Sequence, residues 1–566
     1  MKALRRRQTM HFSRVLHDGR ERILCTVRGG PALLLLVLAW ALTAVAQPSV
    51  LTWHNDNSRT GQNRAERTLT PANVNTQGFG KLFSYPVDGQ IYAQPLYVPH
   101  LTIPGKGSHN VVFVATEGDS VFAFDADNNG GANAKPLWKA SLIDTAHGAA
   151  SGATTVDSLA DTGCSDLVPK IGITSTPTID AGTGTMYVEA KSKENGTFVH
   201  RLHALDIHTG AEKAFGPVVV TATVPGSGDG SVNGQLTFDA LHHNNRPGLL
   251  LSSGTIYIAY ASHCDFFPYH GWMFAYDATN LAQKAVYVTT PDGGLGGFWM
   301  SGAAPAADNE GNVFAVTGNG TFDTQNIPAT ELGDSILKLR LRDSEVSLLD
   351  YFTPFNQDLL NIVDGDLGSG GAMLLPDQPG SHPHLLVQAG KEGRIYLIDR
   401  DRMTAGNLHY CVMFCDGVDP QIVQEVQFAM GLVWSSAAYW NHHVYFWAID
   451  DVLRSFSLQN GKLSRRATSS STDVYGFPGA TVSISANGNQ DGIVWSLETD
   501  AFFTHGPAIL KAHDATNVAR KLYSSDENSS RDFPGGAVKF TMPTVVNGKV
   551  YVGAAGRLSV YGLLNQ

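Results

Sequence analysis

Four segments between residues 296 and 400 carry side chains that could bind a flat, negatively charged cofactor together with a metal ion. In chain order the segments contain Trp299 (296–302), Asn319 (316–320), Asp358, Asp364 and Asp366 (353–366), and Lys391 (388–400). An aromatic face can support a planar ring system, and a lysine can neutralise its negative charge. Amide and carboxylate oxygens are the hard ligands that Ca²⁺ prefers.

A plainer interpretation of the same residues is structural. Trp299 could pack between neighbouring elements, and the Asp and Asn side chains could stabilise turns, where these residue types are common. Taken alone, the residue types favour this structural interpretation. The choice therefore depends on which elements position the segments.

A sequence motif that predicts two short strands recurs about eight times along the chain. Its second strand often ends in Ala-Leu-Asp or Ala-Tyr-Asp. The copies end near Asp125, Asp206, Asp277, Leu339, Asp399, Phe456, Asp514 and Tyr561. A repeat of roughly 60 residues built only of strands predicts a β-propeller. We therefore expect an all-β protein with eight four-stranded antiparallel blades, in which inter-blade turns converge on a central axis.

Other parts of the chain complete this prediction. Residues 51–57 and 81–85 read as strands before the first blade, and we expect an N-terminal strand to complete the last blade and close the ring. Residues 126–170, 211–245 and 400–430 read as long loops. We expect residues 241–247 to cap the pocket at the axis.

Several chemistries find no support in the sequence. Adjacent histidines such as His242 and His243 point to opposite faces of a strand and rarely share a metal. Gly-x-Ser-x-Gly, the phosphate-binding glycine loop and Cys-x-x-Cys-His are all absent, which argues against a serine hydrolase, a P-loop enzyme and covalently bound haem.

The N-terminal region is typical of a secretory signal peptide. Residues 1–30 are rich in arginine, and an apolar stretch then ends in Ala44-Val45-Ala46. We predict export to the periplasm or the extracellular space, with residues 1–46 removed and 47–566 forming one domain; the alternative is an uncleaved anchor, for which the stretch is short. The remaining chain has 32 basic and 49 acidic side chains, a net charge of −17, which disfavours nucleic acid as a partner.

Four cysteines remain after residue 46, and an even number in an exported protein suggests disulfides. Cys411 and Cys415 could close a small loop, which leaves Cys164 for Cys264.

At the four segments the chain resembles the pyrroloquinoline quinone (PQQ) dehydrogenases, the eight-bladed quinoprotein alcohol dehydrogenase superfamily. The motif order matches: Gly-Gly-Phe-Trp at 296–299, which is similar to the family's Gly-Gly-x-x-Trp, then Thr-Gly-Asn at 317–319, and a basic residue followed by Tyr-x-x-Asp-Arg at 391–400. The resemblance implies that Trp299 supports the quinone, that Lys391 contacts its oxygen, and that Asn319 and Asp265 bind Ca²⁺. Asp358, Asp364 or Asp366 would be the catalytic base, and the choice among them stays open.

The chain departs from that family in named places. The family's adjacent cysteine pair is absent, Asp265 stands in place of a calcium-binding Glu, and the Asp-x-Trp-Asp segment is altered.

Two hypotheses follow. The first is an exported quinoprotein-like dehydrogenase that uses PQQ and Ca²⁺ to oxidise an alcohol or sugar and passes electrons to a separate acceptor. The alternative is a non-catalytic exported propeller that binds protein or glycan. The first hypothesis requires Trp299, Asn319, Asp265 and Lys391 to converge on one axial pocket.

Overall fold

A computed structural model describes residues 48–323, 329–412 and 415–564 of the chain. The predicted signal peptide lies outside these residues. Within them, no helix is long and apolar enough to cross a membrane.

The described strands form eight antiparallel blades, which confirms the predicted eight-bladed propeller. Blades 1 to 4 consist of Leu96–Ile103, Gly107–Thr116, Ser120–Asp125 and Trp138–Ser141; Thr178–Asp180, Thr185–Glu194, Thr197–Asp206 and Val218–Val219; Leu250–Ser252, Thr255–Ser262, Trp272–Asp277 and Gln283–Val288; and Ala306–Ala307, Val313–Val316, Ile336–Arg342 and Glu345–Phe352.

Blades 5 to 8 continue the ring. They consist of Met373–Leu374, Leu385–Ala389, Ile395–Asp399 and Gln424–Val426; Ala438–Trp440, His443–Trp447, Asp451–Gln459 and Ser469–Tyr475; Ser483–Asn487, Gln490–Glu498, Ile509–Asp514 and Lys521–Ser524; and Thr544–Val546, Lys549–Ala554, Arg557–Leu563 and Phe79–Pro86. The last strand of blade 8 comes from the N-terminal part, so the predicted closure is confirmed.

Further short strands and helices lie outside the four main strands of each blade. The additional strands are Gln62–Asn63, Thr154–Asp157, Lys170–Ile171, Thr223–Pro225, Gln235–Thr237, His243–Asn244 and Lys462–Leu463. The α-helices are Ser158–Thr162, Gln357–Ile362 and Ser529–Asp532, and the 3₁₀-helices are Gly131–Ala134, Thr145–His147, Met300–Gly302, Leu367–Ser369, Ala405–Asn407, Asp500–Thr504 and Ser525–Asn528. The expectation of three long loops was therefore wrong in part, because 126–170, 211–245 and 400–430 each contain short backbone-paired strands.

The recurring aspartate at the end of the third strand has one structural role. Its Oδ1 accepts the backbone N–H of the residue two positions later, as at 125, 206, 277, 399 and 514. This Asx-turn ends the strand and starts the turn to the fourth strand. The repeat seen in the sequence is thus a turn signal and not a catalytic one.

The hydrophobic core lies between the blades. Strands such as Thr255–Ser262 are buried along their whole length, because a blade packs against a neighbour on each face. Trp440 and Trp447 of blade 6, for example, share a cluster with Ile484 and Val494 of blade 7. β-branched and aromatic residues suit such a surface.

Residues 50–63, here called the axial segment, contact the innermost strand of every blade. The hydrogen bonds join Val50 to Tyr97, Leu51 to Ile179, Asn57 to Leu251 and Ala307, Ser58 to Leu374, Thr60 to Tyr439, Gly61 to Ile484, and Asn63 to Val545. Contact with all eight strands places the segment on the propeller axis.

The prediction that residues 51–57 form a strand was wrong. His54 and Asn55 have φ of 59° and 72°, which bends the chain across the axis instead of along a blade. The fully buried Arg59 fixes this bend through hydrogen bonds to the carbonyl oxygens of Pro305 (2.7 Å) and Trp53 (2.9 Å).

Candidate functional site

An open cavity of about 610 Å³, counting the solvent at its mouth, lies at the end of the axis where the inter-blade connections meet. It is lined by Asp166, Arg246, Cys264, Asp265, Trp299, Ser301, Asp366, Ser369, Lys391, Trp434, Phe477 and Phe540. All seven connections from blade 1 to blade 8 contribute at least one of these residues. The axial segment closes the other side, because Trp53 lines a small space that also contains Arg246 and Phe540.

Trp299 reaches the cavity through an unusual backbone. Met300 and Ser301 both have φ of 47°, and Gly302 has φ of 87°, so the chain turns left-handed directly after the tryptophan. Such conformations are uncommon for residues other than glycine and often occur at functional sites. The Trp299 ring lies edge-to-face with Tyr269, with 6.1 Å between ring centroids.

Glycine allows close approach behind the tryptophan. A methyl group on Gly318 would lie 2.8 Å from Trp299 Cδ1 and would collide with Asp366 Oδ1. The Thr-Gly-Asn segment is therefore needed for its glycine as well as for its asparagine.

Lys391, Asp364, Asp366 and Asn319 form one charged network. The Lys391 ammonium lies 2.7 Å from Asp366 Oδ2 and 2.8 Å from Asp364 Oδ1. Asn319 donates its backbone N–H to Asp366 Oδ1 (2.7 Å) and its side-chain amide to Asp364 Oδ1 (2.9 Å). The loops between blades 4 and 5 and within blade 5 are thus joined at the cavity wall.

Burial sets the electrostatics of this network. Burial raises the pKa of Asp366 above its usual range, although Lys391 opposes the shift. Burial would lower the pKa of Lys391, but Asp366 and Asp364 outweigh it and raise that pKa. Lys391 also lies 5.2 Å from the centre of the Trp434 ring, so its charge faces an aromatic wall.

Asp265 faces the cavity from the loop within blade 3. Its Oδ1 accepts a 2.6 Å hydrogen bond from the Tyr269 hydroxyl. Desolvation at the cavity wall raises the pKa of Asp265. The neighbouring Cys264 is bonded to Cys164, and Cys411 is bonded to Cys415, which confirms the pairing inferred from the sequence.

The sequence-predicted residues are therefore largely brought together. Trp299, Lys391, Asp265 and Asp366 line the cavity, Asn319 contacts Asp366 directly, and Asp364 contacts Lys391 from an exposed position. Asp358 is different, because it lies exposed on the helix Gln357–Ile362 and does not line the cavity.

A second charged group lies at the cavity, and sequence reasoning missed two of its three members, Asp166 and Lys539. The Asp166 carboxylate forms an ion pair with Arg246 (2.7 Å) and another with Lys539. Although burial opposes the shift, the two cations hold the pKa of Asp166 at about 2. Burial lowers the pKa of Lys539 to about 8. Arg246 also stacks 4.2 Å from the centre of the Phe540 ring.

Arg246 lies in residues 241–247, the stretch expected to cap the pocket, and it forms part of the cavity wall. Trp434, Phe477 and Phe540 were not identified beforehand. Each lies in the connection that precedes an innermost strand, and this shared position is the signal that could have found them.

The side chains of the cavity bear on both cofactors that the sequence suggests, PQQ and Ca²⁺. A cavity of this size with aromatic walls has room for a flat ring system, and two cations, Lys391 and Arg246, line it together with three carboxylates, Asp166, Asp265 and Asp366. For a metal, Asn319 Oδ1 is buried and accepts no hydrogen bond from the described residues, and it therefore remains available as a ligand. In the described part of the chain, no group of three or more His, Cys, Asp or Glu side chains could hold a metal.

Comparison with solved structures identifies the fold. The quinohemoprotein alcohol dehydrogenase from Comamonas testosteroni matches over 91% of this chain and 80% of its own, with a TM-score of 0.58 and 15% identity. A quinohemoprotein alcohol dehydrogenase from Pseudomonas putida HK5 has a TM-score of 0.58 and 15% identity. The match covers 92% of this chain and 81% of that chain. A europium-containing methanol dehydrogenase matches with a TM-score of 0.56 and 12% identity. The match covers 91% of this chain and 98% of that chain.

No protein-family model and no curated protein sequence matches the chain. The structural matches show that the chain has the eight-bladed, quinoprotein alcohol dehydrogenase-like fold. At these identities they bear on the fold alone.

Proposed function

We propose that this protein is a quinoprotein-like dehydrogenase that binds PQQ in the axial cavity and oxidises the hydroxyl group of an alcohol or sugar. The observation that carries the proposal is the convergence of Trp299, Asp366 and Lys391, from three different loops, on one cavity. Fold alone does not determine function, so the argument depends on these side chains.

The cavity chemistry fits PQQ, a flat quinone with three carboxylates. Trp299 and Trp434 provide aromatic surface, and Lys391 and Arg246 provide positive charge at separate points of the wall. Bound PQQ would supply the hydride acceptor. The protein would then need to bind and orient PQQ and the substrate, and to remove one proton from the substrate hydroxyl.

Asp366 is the residue best placed to take that proton. It is buried in the cavity wall, and burial raises its pKa, which is the direction that favours a general base. Lys391 is held beside Asp366 and would stabilise negative charge on an oxygen that develops next to it. Asp364 would hold Lys391 from the exposed side.

Calcium would use the oxygens of Asn319 and Asp265. These two residues supply fewer than the six to eight oxygen ligands that Ca²⁺ takes, so cofactor and water oxygens would complete the set. A bound cation there would act as a Lewis acid. Electrons would leave to a separate acceptor, which agrees with the absence of a haem-attachment motif.

The test is thermal unfolding of the purified full chain with Ca²⁺ alone and then with Ca²⁺ plus PQQ. PQQ at about 100 times its dissociation constant stabilises by about 2.7 kcal/mol, which is a rise in Tm of roughly 2–3 °C for a domain of this size. We expect the PQQ-dependent rise to disappear in Lys391→Ala. Lys284→Ala, which removes a surface ion pair with Asp277, is the matched control and should keep it.

No shift at saturating PQQ would contradict the proposal. The non-catalytic exported propeller that binds protein or glycan would then be the better hypothesis.

A further inference from the structure

A second polar site lies apart from the cavity, at the turn between the second and third strands of blade 1. This turn carries Glu117 and Asp119, whose residues are 1% and 0% exposed. Asp119 has φ of 54° and donates its N–H to the Thr116 carbonyl. The tight turn places two carboxyl groups two residues apart inside the protein.

The oxygen atoms of the turn surround Gly172, in the connection from blade 1 to blade 2. Gly172 donates its N–H to Glu117 Oε2 at 2.7 Å. A methyl group on Gly172 would lie 2.8 Å from both Asp119 Oδ1 and the Glu117 carbonyl oxygen. Any residue larger than glycine would therefore occupy the space between these oxygens.

Four side-chain oxygens in and beside the turn have no hydrogen-bond partner among the described residues. Glu117 Oε1, both carboxylate oxygens of Asp119 and Gln90 Oε1 are buried, and no group of the described residues forms a hydrogen bond with them. Gln90 lies in the connection from blade 8 to blade 1 and lines the same cleft as Glu117 and Lys170. In the described chain neither Glu117 nor Asp119 forms an ion pair.

A buried carboxylate without a partner is costly, because it loses its hydration and gains nothing in return. Burial accordingly raises the pKa of Glu117 to about 7 and that of Asp119 well above its usual range. Four acceptor oxygens with no donor between them need a positive ion or shared protons.

We propose that this turn is a Ca²⁺ site, with Asp119, Glu117 Oε1 and Gln90 Oε1 as ligands and water completing the shell. Two carboxylates balance the charge of one divalent cation, and carboxylate and amide oxygens select Ca²⁺ over transition metals. The ion would join the turn of blade 1 to the connection from blade 8, next to the seam where the ring closes. This proposal does not depend on PQQ binding.

The test uses the full chain after removal of metal with a chelator. Tb³⁺ is titrated while the aromatic side chains are excited, because the partly buried Tyr92 lies two residues after Gln90. The titration is done without PQQ, so that the cavity lacks the cofactor oxygens that would complete its proposed calcium shell. We expect a saturable luminescence signal that Ca²⁺ displaces, and we expect Asp119→Asn to lose it. Asp265→Asn, at the cavity, should retain it and so separates this site from the proposed cofactor site.

Asp88→Asn is the matched control on the same face of blade 1. Both carboxylate oxygens of Asp88 are already paired, with Thr116, Ser120 and Lys139, so its variant should bind Tb³⁺ as the wild type does.

Thermal unfolding separates loss of binding from loss of folding. In chelator, Asp119→Asn should unfold at or above the wild-type temperature, because it removes an unpartnered carboxyl group. Added Ca²⁺, again without PQQ, should raise the Tm of the wild type and of Asp265→Asn but not that of Asp119→Asn. Equal Ca²⁺ and Tb³⁺ responses in Asp119→Asn and wild type, or no binding to the wild type, would overturn the proposal; in the second case the carboxyls share a proton.

Discussion

Asp364, Asp366 and Lys391 touch one another at the cavity, but they differ in exposure, and exposure separates their roles. The side chains of Lys391 and Asp366 are each 9% exposed, whereas that of Asp364 is 71% exposed. Water screens an exposed ion pair and leaves it worth little, while a buried carboxylate keeps its electrostatic influence. Asp366 is therefore the candidate base among the three predicted carboxylates.

This difference predicts the outcome of two conservative substitutions. In protein loaded with PQQ, Asp366→Asn keeps the side-chain shape but cannot accept a proton, so we expect kcat to fall about 10²- to 10⁴-fold. Asp364→Asn should lower kcat by less than about tenfold. The measurement is the steady-state rate of alcohol oxidation with an artificial electron acceptor. Equal losses in both variants would rule out this assignment, and Asp358→Asn serves as the control away from the cavity.

The axial segment is the element that most constrains the ring. Its fourteen residues form hydrogen bonds with all eight innermost strands. The backbone must bend sharply to reach so many strands over so short a length. Gly61 has φ of 67°, and a methyl group there would collide with the His54 ring. That ring cannot move away easily, because Nδ1 and Nε2 contact the carbonyl oxygens of Arg59 (2.8 Å) and Val482 (2.9 Å).

Gly61→Ala should therefore destabilise the protein by about 3 kcal/mol or more, through overpacking added to an unfavourable φ. Gly105→Ala is the matched control, because Gly105 has φ of 73° but nothing within 4 Å of an added methyl group; its cost should be about 1 kcal/mol. Urea unfolding measures both. Similar losses would mean that the bend at residue 61 is not held by His54.

The whole ring is closed at one seam, where the strand Phe79–Pro86 completes blade 8. Phe79 packs there against Trp495, Tyr523 and Tyr561.

The two disulfides differ in the length of chain that they cross-link. Cys164–Cys264 joins residues 100 apart, whereas Cys411–Cys415 joins residues 4 apart.

Removal of the two disulfides should therefore have unequal effects. Cross-linking a long loop restricts the unfolded chain more, so the Cys164→Ser/Cys264→Ser variant should lose about 5 kcal/mol and the Cys411→Ser/Cys415→Ser variant about 2 kcal/mol. Denaturant unfolding of the oxidised proteins measures the difference. If the short-loop variant lost as much stability as the long-loop one, chain entropy would not be the source of the effect.

The sequence by itself determined the class of the fold and much of the candidate site. The repeated strand pair has a period that only a ring of small sheets explains, and its terminal aspartates encode local Asx-turns. Trp299, Asn319 and Lys391 could be singled out because each lies in a short, ordered motif. Local patterns of this kind depend on neighbouring residues and can be read along the chain.

Tertiary structure alone decided the rest. Asp166, Arg246, Trp434, Phe477 and Phe540 come from five separate connections and form no motif, since the ring closure brings them together. Residues 51–57 of the axial segment were misread as a strand, because the partners of the segment are eight strands spread over about 450 residues. The choice of Asp366 over Asp358 also required burial, which depends on long-range packing and leaves no local signature in the sequence.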